Sequence, residues 1–241
     1  MTSLKQAVQS GRFVVTAVLS SSDGYESQQF MQQANALRGW VTAIQIREDP
    51  LRHRQLSVLA TAAILERSGI DPIPEISEGD RNRIALMSDL LGLRALGVTS
   101  LLIGGQKVSH HTTGPVAMVT LVEALNEEES VTAEEEFLIG IRTDIHSVEA
   151  EADSGTLVAC ANAGARFVQM QPCLDLDALR KSIGYLVENR LTWDYAVLVG
   201  VAIMTSVEKA RRLLTRESGC VIPQGLIERL QSADDALSVC Q

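Results

Sequence analysis

Residues 79–106, GDRNRIALMSDLLGLRALGVTSLLIGGQ, decide how the rest of the chain is read. Ile84, Leu86, Met87, Leu90, Leu91, Leu93, Ala95 and Leu96 recur at three- and four-residue spacing, the pattern of a helix with a wide apolar stripe. Asp80 stands where a carboxylate can cap the helix start, and Gly97 supplies its stop. Val98 to Ile103 is a short apolar run with β-branched residues, which predicts a strand covered on both faces and ending at Gly104-Gly105. In α/β folds the carboxyl ends of the strands are where ligands sit.

The same alternation extends in both directions. Strands are expected at Phe13–Leu19, Val41–Ile46, Ile73–Ile76, Phe137–Ile141, Gly164–Met170, Ala196–Val201 and Cys220–Ile222, each followed by a helical stretch. Pro223 is expected to open the last helix, and the acidic run Asn126–Glu136 to solvate a helix exit. Eight alternations without a linker predict a single (β/α)8 barrel domain spanning residues 1–241.

Composition narrows the function classes. A net charge of -9, with no cluster of Lys and Arg, argues against nucleic acid as a partner. No apolar run approaches the ~18 residues that span a bilayer, so no membrane role is expected. The four cysteines, Cys160, Cys173, Cys220 and Cys240, lack CxxC spacing, which favours reduced thiols in a cytoplasmic protein and gives no metal site. His110 and His111 are adjacent in a polar loop, a poor arrangement for ligating one metal.

The run DRNRIALMSDLLG followed by ALGVTSLLIGG resembles the methylenetetrahydrofolate reductase family. Members of that family carry a similar Asp-Arg-Asn-Arg segment, then Ser-Asp-Leu-Leu-Gly, then a strand ending in Gly-Asp. The resemblance continues through Ala163-Gly164-Ala165, Phe167 to Gln171 with the later Asp175, Val199-Gly200-Val201, and Val221-Ile222-Pro223. It implies a flavoenzyme of tetrahydrofolate one-carbon metabolism, with FAD as cofactor, NAD(P)H as electron donor and a folate as small-molecule ligand. It also implies that Gly104, Gly105 and Gln106 lie at the cofactor and that Gln171 hydrogen-bonds the pterin.

The departures fall at the chemistry. Val18 occupies the position of the family's general acid, and valine transfers no proton. Gln106 replaces the family's aspartate with a neutral amide. Arg47, before Glu48 and Asp49, brings a bulky cation to a loop that faces the flavin in the family; it is suited either to an anionic ligand group or to a surface ion pair. The stretch Leu157–Asn162 has no Lys or Arg to meet a flavin diphosphate. Glu75, predicted to point inward if Ile76 points outward, is the candidate substitute acid or base, or else a structurally paired carboxylate. Two further readings stand beside a reductase: a catalytically silent or repurposed barrel serving as a partner subunit, homo-oligomer or small-ligand binder, and a different reaction in the same cavity that draws on Glu75, Glu48 or a histidine.

Overall fold

The structure, a computed structural model, describes residues 2–20, 27–47, 54–77, 82–104, 114–145, 151–216 and 219–232. Glu48, Asp49, Asp80, Gly105, Gln106, His110, His111 and Cys240 lie outside the described residues. The chain divides into two compact units, residues 1–140 with 163–165, and residues 141–162 with 166–241.

The first unit alternates α1 (Leu4–Gln9), β1 (Thr16–Ser20), α2 (Gln28–Leu37), β2 (Ala43–Arg47), α3 (Val58–Arg67), β3 (Pro72–Ile76), α4 (Arg83–Ala95), β4 (Ser100–Ile103) and α5 (Gly114–Asn126). Its four strands pair in parallel and in chain order, with Val18 opposite Gln45, Gln45 opposite Ile73 and Glu75 opposite Leu102. Every residue of β3 and β4 is buried, as expected of parallel strands covered on both faces. β5 (Leu138–Thr143) begins in this unit and ends in the second.

Helix α4 shows what the sequence reading caught and what it missed. The cap is Asn82 rather than Asp80: its side-chain oxygen accepts from the Ala85 N–H at 2.9 Å, and the helix begins one residue later. Leu86, Leu90 and Leu93 are buried, whereas Ile84 and Leu91 are 79% and 46% exposed, so the buried stripe is narrower than the apolar one. The stop at Gly97 is as expected. With φ +84 it lets the Gly97 N–H reach Arg94 O and the Val98 N–H reach Leu93 O, the paired bonds of a Schellman motif.

Helix α1 was absent from the sequence reading although Ser3 and Gln6 form a capping box, each side chain accepting from the other residue's backbone N–H. Its Leu4 N–H donates to Asp71 Oδ2 at 2.6 Å. Lys5, 6% exposed, donates to the carbonyls of Ala133 and Glu136, both at 2.6 Å. The acidic run therefore does more than solvate a helix exit: its backbone receives this ammonium.

The second unit holds α6 (Glu151–Asn162), β6 (Phe167–Met170), α7 (Leu176–Glu188), the short α8 (Leu191–Asp194), β7 (Ala196–Val199), α9 (Val207–Arg216) and α10 (Gln224–Ser232). β6 and β7 pair in parallel from Phe167 opposite Ala196 to Met170 opposite Val199. Met204, Ala210, Ile222, Ile227 and Leu230 form a core against α9 and α10.

The strand expected at Cys220–Ile222 shrinks to a single parallel bridge between Cys173 and Val221. Val221 donates to Pro172 O at 3.0 Å and accepts from the Leu174 N–H at 2.8 Å. Continuing the ladder on one side needs an N–H from Pro172, and on the other an N–H from Pro223. Neither proline has one, so the ladder stops after one residue. Pro223 is the last residue before α10, and its carbonyl accepts from the Leu226 N–H at 3.0 Å.

Candidate functional site

In the first unit the strand registers put Val18, Gln45 and Ile73 side by side on one sheet face, and Glu75 and Arg47 one layer further toward the carboxyl ends. Ile44, Ile46 and Ile76 alternate onto the opposite face. Gln45, 1% exposed, donates from Nε2 to Glu75 Oε2 at 2.9 Å. It is one of the partners of Glu75, which is 8% exposed. Gln45 Oε1 is buried and accepts no hydrogen bond among the described residues. Ser100 on β4 is also fully buried, and its hydroxyl oxygen has no partner there.

Gly104 follows β4 directly and closes over this pair. A Cβ built on it would stand 2.5 Å from Glu75 Oε1 and 2.9 Å from Cδ, so the missing side chain is what makes room for the carboxylate. Val18, by contrast, is 44% exposed. Arg47 is half-buried at the end of β2, opposite Ser20. Its expected ion pair with Glu48 or Asp49 lies outside the described residues.

In the second unit Gln171 follows β6, and its N–H donates to Thr143 O at 2.9 Å. The Oε1 atoms of Gln171 and of Gln169, two residues earlier on the same extended segment, are buried and accept nothing among the described residues. Gly200 lies flush against this segment: its N–H donates to Met170 O at 3.0 Å, and a Cβ would meet that oxygen at 2.5 Å. Asp175 serves the fold, its Oδ1 accepting from the N–H groups of Asp177 and Ala178 at the start of α7.

Burial favours the neutral thiol at two cysteines here. Burial raises the Cys173 thiol above its usual range, and its Sγ lies 3.2 Å from Asp175 O as donor. Burial likewise pushes Cys160 up to about 11. Tyr195 is raised by burial too, its hydroxyl donating to Leu157 O at 2.6 Å. No group of three or more His, Cys, Asp or Glu suited to a metal occurs among the described residues. No helix among them is long and apolar enough to cross a membrane.

Neither α6 nor the ground beside Gly104 offers a cation to the diphosphate of a flavin. The sequence of α6, EADSGTLVACAN, holds two acids and neither Lys nor Arg. The space under Gly104 is taken by the Glu75 carboxylate, which repels an anion rather than cradling one. Of the residues that sequence reasoning proposed, Glu75 and Gly104 come together; Gln171 belongs to the other unit. Gln45 and Gln169 carried no assigned role in the sequence, although a glutamine inside an apolar strand, as in AIQIR and FVQM, is itself a signal.

An uncharacterized protein from Clostridium thermocellum that binds two copies of 5-methyl-5,6,7,8-tetrahydrofolic acid matches with a TM-score of 0.67 and 10% identity, over 98% of this chain and 82% of that one. The tryptophan synthase α-subunit of Pyrococcus furiosus matches with a TM-score of 0.56 and 14% identity, over 93% of both chains. 2,3-Dimethylmalate lyase, of the PEP mutase/isocitrate lyase superfamily, matches at 0.58 and 13%, over 98% and 96%. These likenesses establish the fold as the parallel, curled (β/α)8-barrel type. No curated protein matches the sequence significantly. Residues 23–239 match the family model described as methylenetetrahydrofolate reductase, and the chain belongs to that family, a family of oxidoreductases.

Proposed function

We propose that this chain binds a reduced folate at the carboxyl ends of its strands and serves tetrahydrofolate one-carbon metabolism without the family's ordinary flavin chemistry. The reading takes residues 1–241 as one barrel domain, supported by the family match over residues 23–239. The observation that carries it is Gln171. Its amide oxygen is buried and accepts from no donor among the described residues, and the family resemblance gives this glutamine to the pterin. A buried acceptor left unpaired is unfavourable by about 1–3 kcal/mol, and the N–H groups of a pteridine would satisfy it. That the structurally similar clostridial protein binds 5-methyltetrahydrofolate supports the same ligand class here.

Titration calorimetry with 5-methyltetrahydrofolate tests this. The expected result is saturable binding that Gln171→Leu weakens about tenfold or more, the worth of one buried hydrogen bond. No binding, or binding indifferent to that substitution, would overturn it.

Val18 favours a second reading, a barrel that binds its ligand and acts as a small-ligand-binding or partner subunit without reducing anything. Its side chain stands half-exposed on the polar strand face and offers no proton. Flavin- and NAD(P)H-dependent turnover of a folate by the purified chain would exclude that reading. Such turnover would need another carboxylate, and Glu75→Gln is the substitution that identifies it.

A further inference from the structure

Helix α1 is attached to the first unit at few points. Its 6 residues are too few for a helix to persist alone in water, so its docking is what holds it in shape. Leu4 and Ala7 are buried, the Leu4 N–H donates to Asp71 Oδ2 at 2.6 Å, and the Lys5 ammonium donates to the carbonyls of Ala133, Glu134 and Glu136. Beside these anchors the packing is incomplete. A cavity of about 680 Å³ is lined by Lys5 and Gln6 of α1, Glu66 and Asp71 ahead of β3, Thr99 ahead of β4, and Glu134. After its last turn α1 passes into Gly11, which is exposed, has φ +65 and would meet nothing within 4 Å if it carried a Cβ. A glycine so placed is a joint free to turn.

The charges under α1 are unbalanced. Glu66 on α3, Asp71 in the turn after it and Glu134 in the segment before β5 bring carboxylates to the cavity, and Glu136 acts on Lys5 from the same segment. Lys5 is the one cation that lines the cavity among the described residues, and its ammonium is turned to backbone carbonyls. We propose that α1 is a pH-sensitive clasp: it turns on Gly11, closes over the cavity while Asp71 is protonated, and opens as Asp71 ionises beside Glu66. Opening lets water reach the carboxylate, which then titrates near its ordinary 3.8; in the closed clasp burial first, and then Glu66, raise it to about 6. The closed form therefore binds the proton more tightly. Closure is strongest below about pH 4 and weakens as pH climbs through 6, which makes the opening equilibrium about tenfold larger at pH 7.5 than at pH 5.

Hydrogen exchange of the full chain at those two pH values, corrected for intrinsic rates, tests this. The amides to follow in α1 are Ala7, Ser10, Gly11 and Arg12, which donate to Ser3, Gln6, Val8 and Ala7 carbonyls, and the reference amides are those of Ile44 and Leu138 in β2 and β5. The expected result is that the α1 amides are the less protected set at both pH values, and that their protection falls about tenfold from pH 5 to pH 7.5. In Asp71→Asn, which keeps an acceptor for Leu4 and cannot ionise, that fall should be less than about twofold. Asp71→Ser, a second neutral acceptor, serves if the asparagine variant does not fold. Equal protection of α1 and the strands overturns the proposal, because α1 then leaves only with the whole unit. A tenfold fall that a folded neutral variant retains overturns it, and so does failure of both variants to fold at pH 7.5, where loss of the charge should steady the clasp.

Discussion

Asp71 offers a sharp test of how this scaffold is held together. Its carboxylate receives the Leu4 N–H at the start of α1, yet burial dominates and, with Glu66 nearby, raises its pKa from 3.8 to about 6. A carboxyl group whose pKa rises on folding binds protons more tightly in the folded state. The stability it allows is therefore present in full below about pH 4 and is lost as pH climbs through 6. A shift of that size corresponds to about 3 kcal/mol at most. Asp71→Asn keeps the shape and the acceptor for Leu4 but removes the charge.

The variant should therefore match the parent near pH 4 and exceed it by up to about 3 kcal/mol near pH 7.5. Urea unfolding of both proteins across that range gives the difference directly, and other titrating groups cancel in the subtraction. Hydrogen exchange at the α1 amides reads the same effect locally. A difference that does not vary with pH, or a variant less stable than the parent at neutral pH, would show that the Leu4 hydrogen bond outweighs burial and refute the reasoning.

Other measurements test the packing and the site. Asn82→Ala removes the cap of α4 and should lower stability by about 1 kcal/mol, measured by urea unfolding. Leu90→Ala, at a fully buried position of the same helix, should cost about 2–5 kcal/mol in the same assay. Flavin added to micromolar protein should show little fluorescence quenching, and Val18→Glu combined with Gln106→Asp should not by itself restore flavin-dependent oxidation of methyltetrahydrofolate, because α6 still supplies no cation for the diphosphate. Stoichiometric flavin in the purified chain would contradict this.

The scaffold was legible where one residue type can do only one thing. Gly97 had to end α4 because its positive φ is disfavoured for residues with a Cβ, and the apolar run before Gly104 had to be a strand covered on both faces. Legibility failed where two residues compete for a role. Asp80 and Asn82 are both capping types, and the sequence does not say which one adopts the extended backbone a cap requires. Ile84 and Leu91 satisfy helical periodicity as well as Leu86 and Leu90 do, yet which of them is buried depends on neighbours that the helix's own sequence does not contain. The bridge at Val221 could have been anticipated, since Pro172 and Pro223 were in view; what was missing was the pairing that sets them against the same ladder.

The site was legible to the extent that strand alternation carries it. Glu75 and Ile76 must face opposite ways, but alternation does not say what Glu75 meets, and Gln45 is thirty residues away in sequence. That partner bears on what an acid at residue 18 would meet. Val18 and Gln45 are in register, so a carboxylate at residue 18 would sit beside the amide that now donates to Glu75. One amide Nε2 cannot orient two neighbouring carboxylates equally well, and two such charges on one sheet face repel each other. With valine on β1 the Gln45 amide donates to Glu75, which stands one strand layer closer to the Gly104 end. A substitution that places an acid at residue 18 while leaving Glu75 in place sets the two in competition for the Gln45 amide.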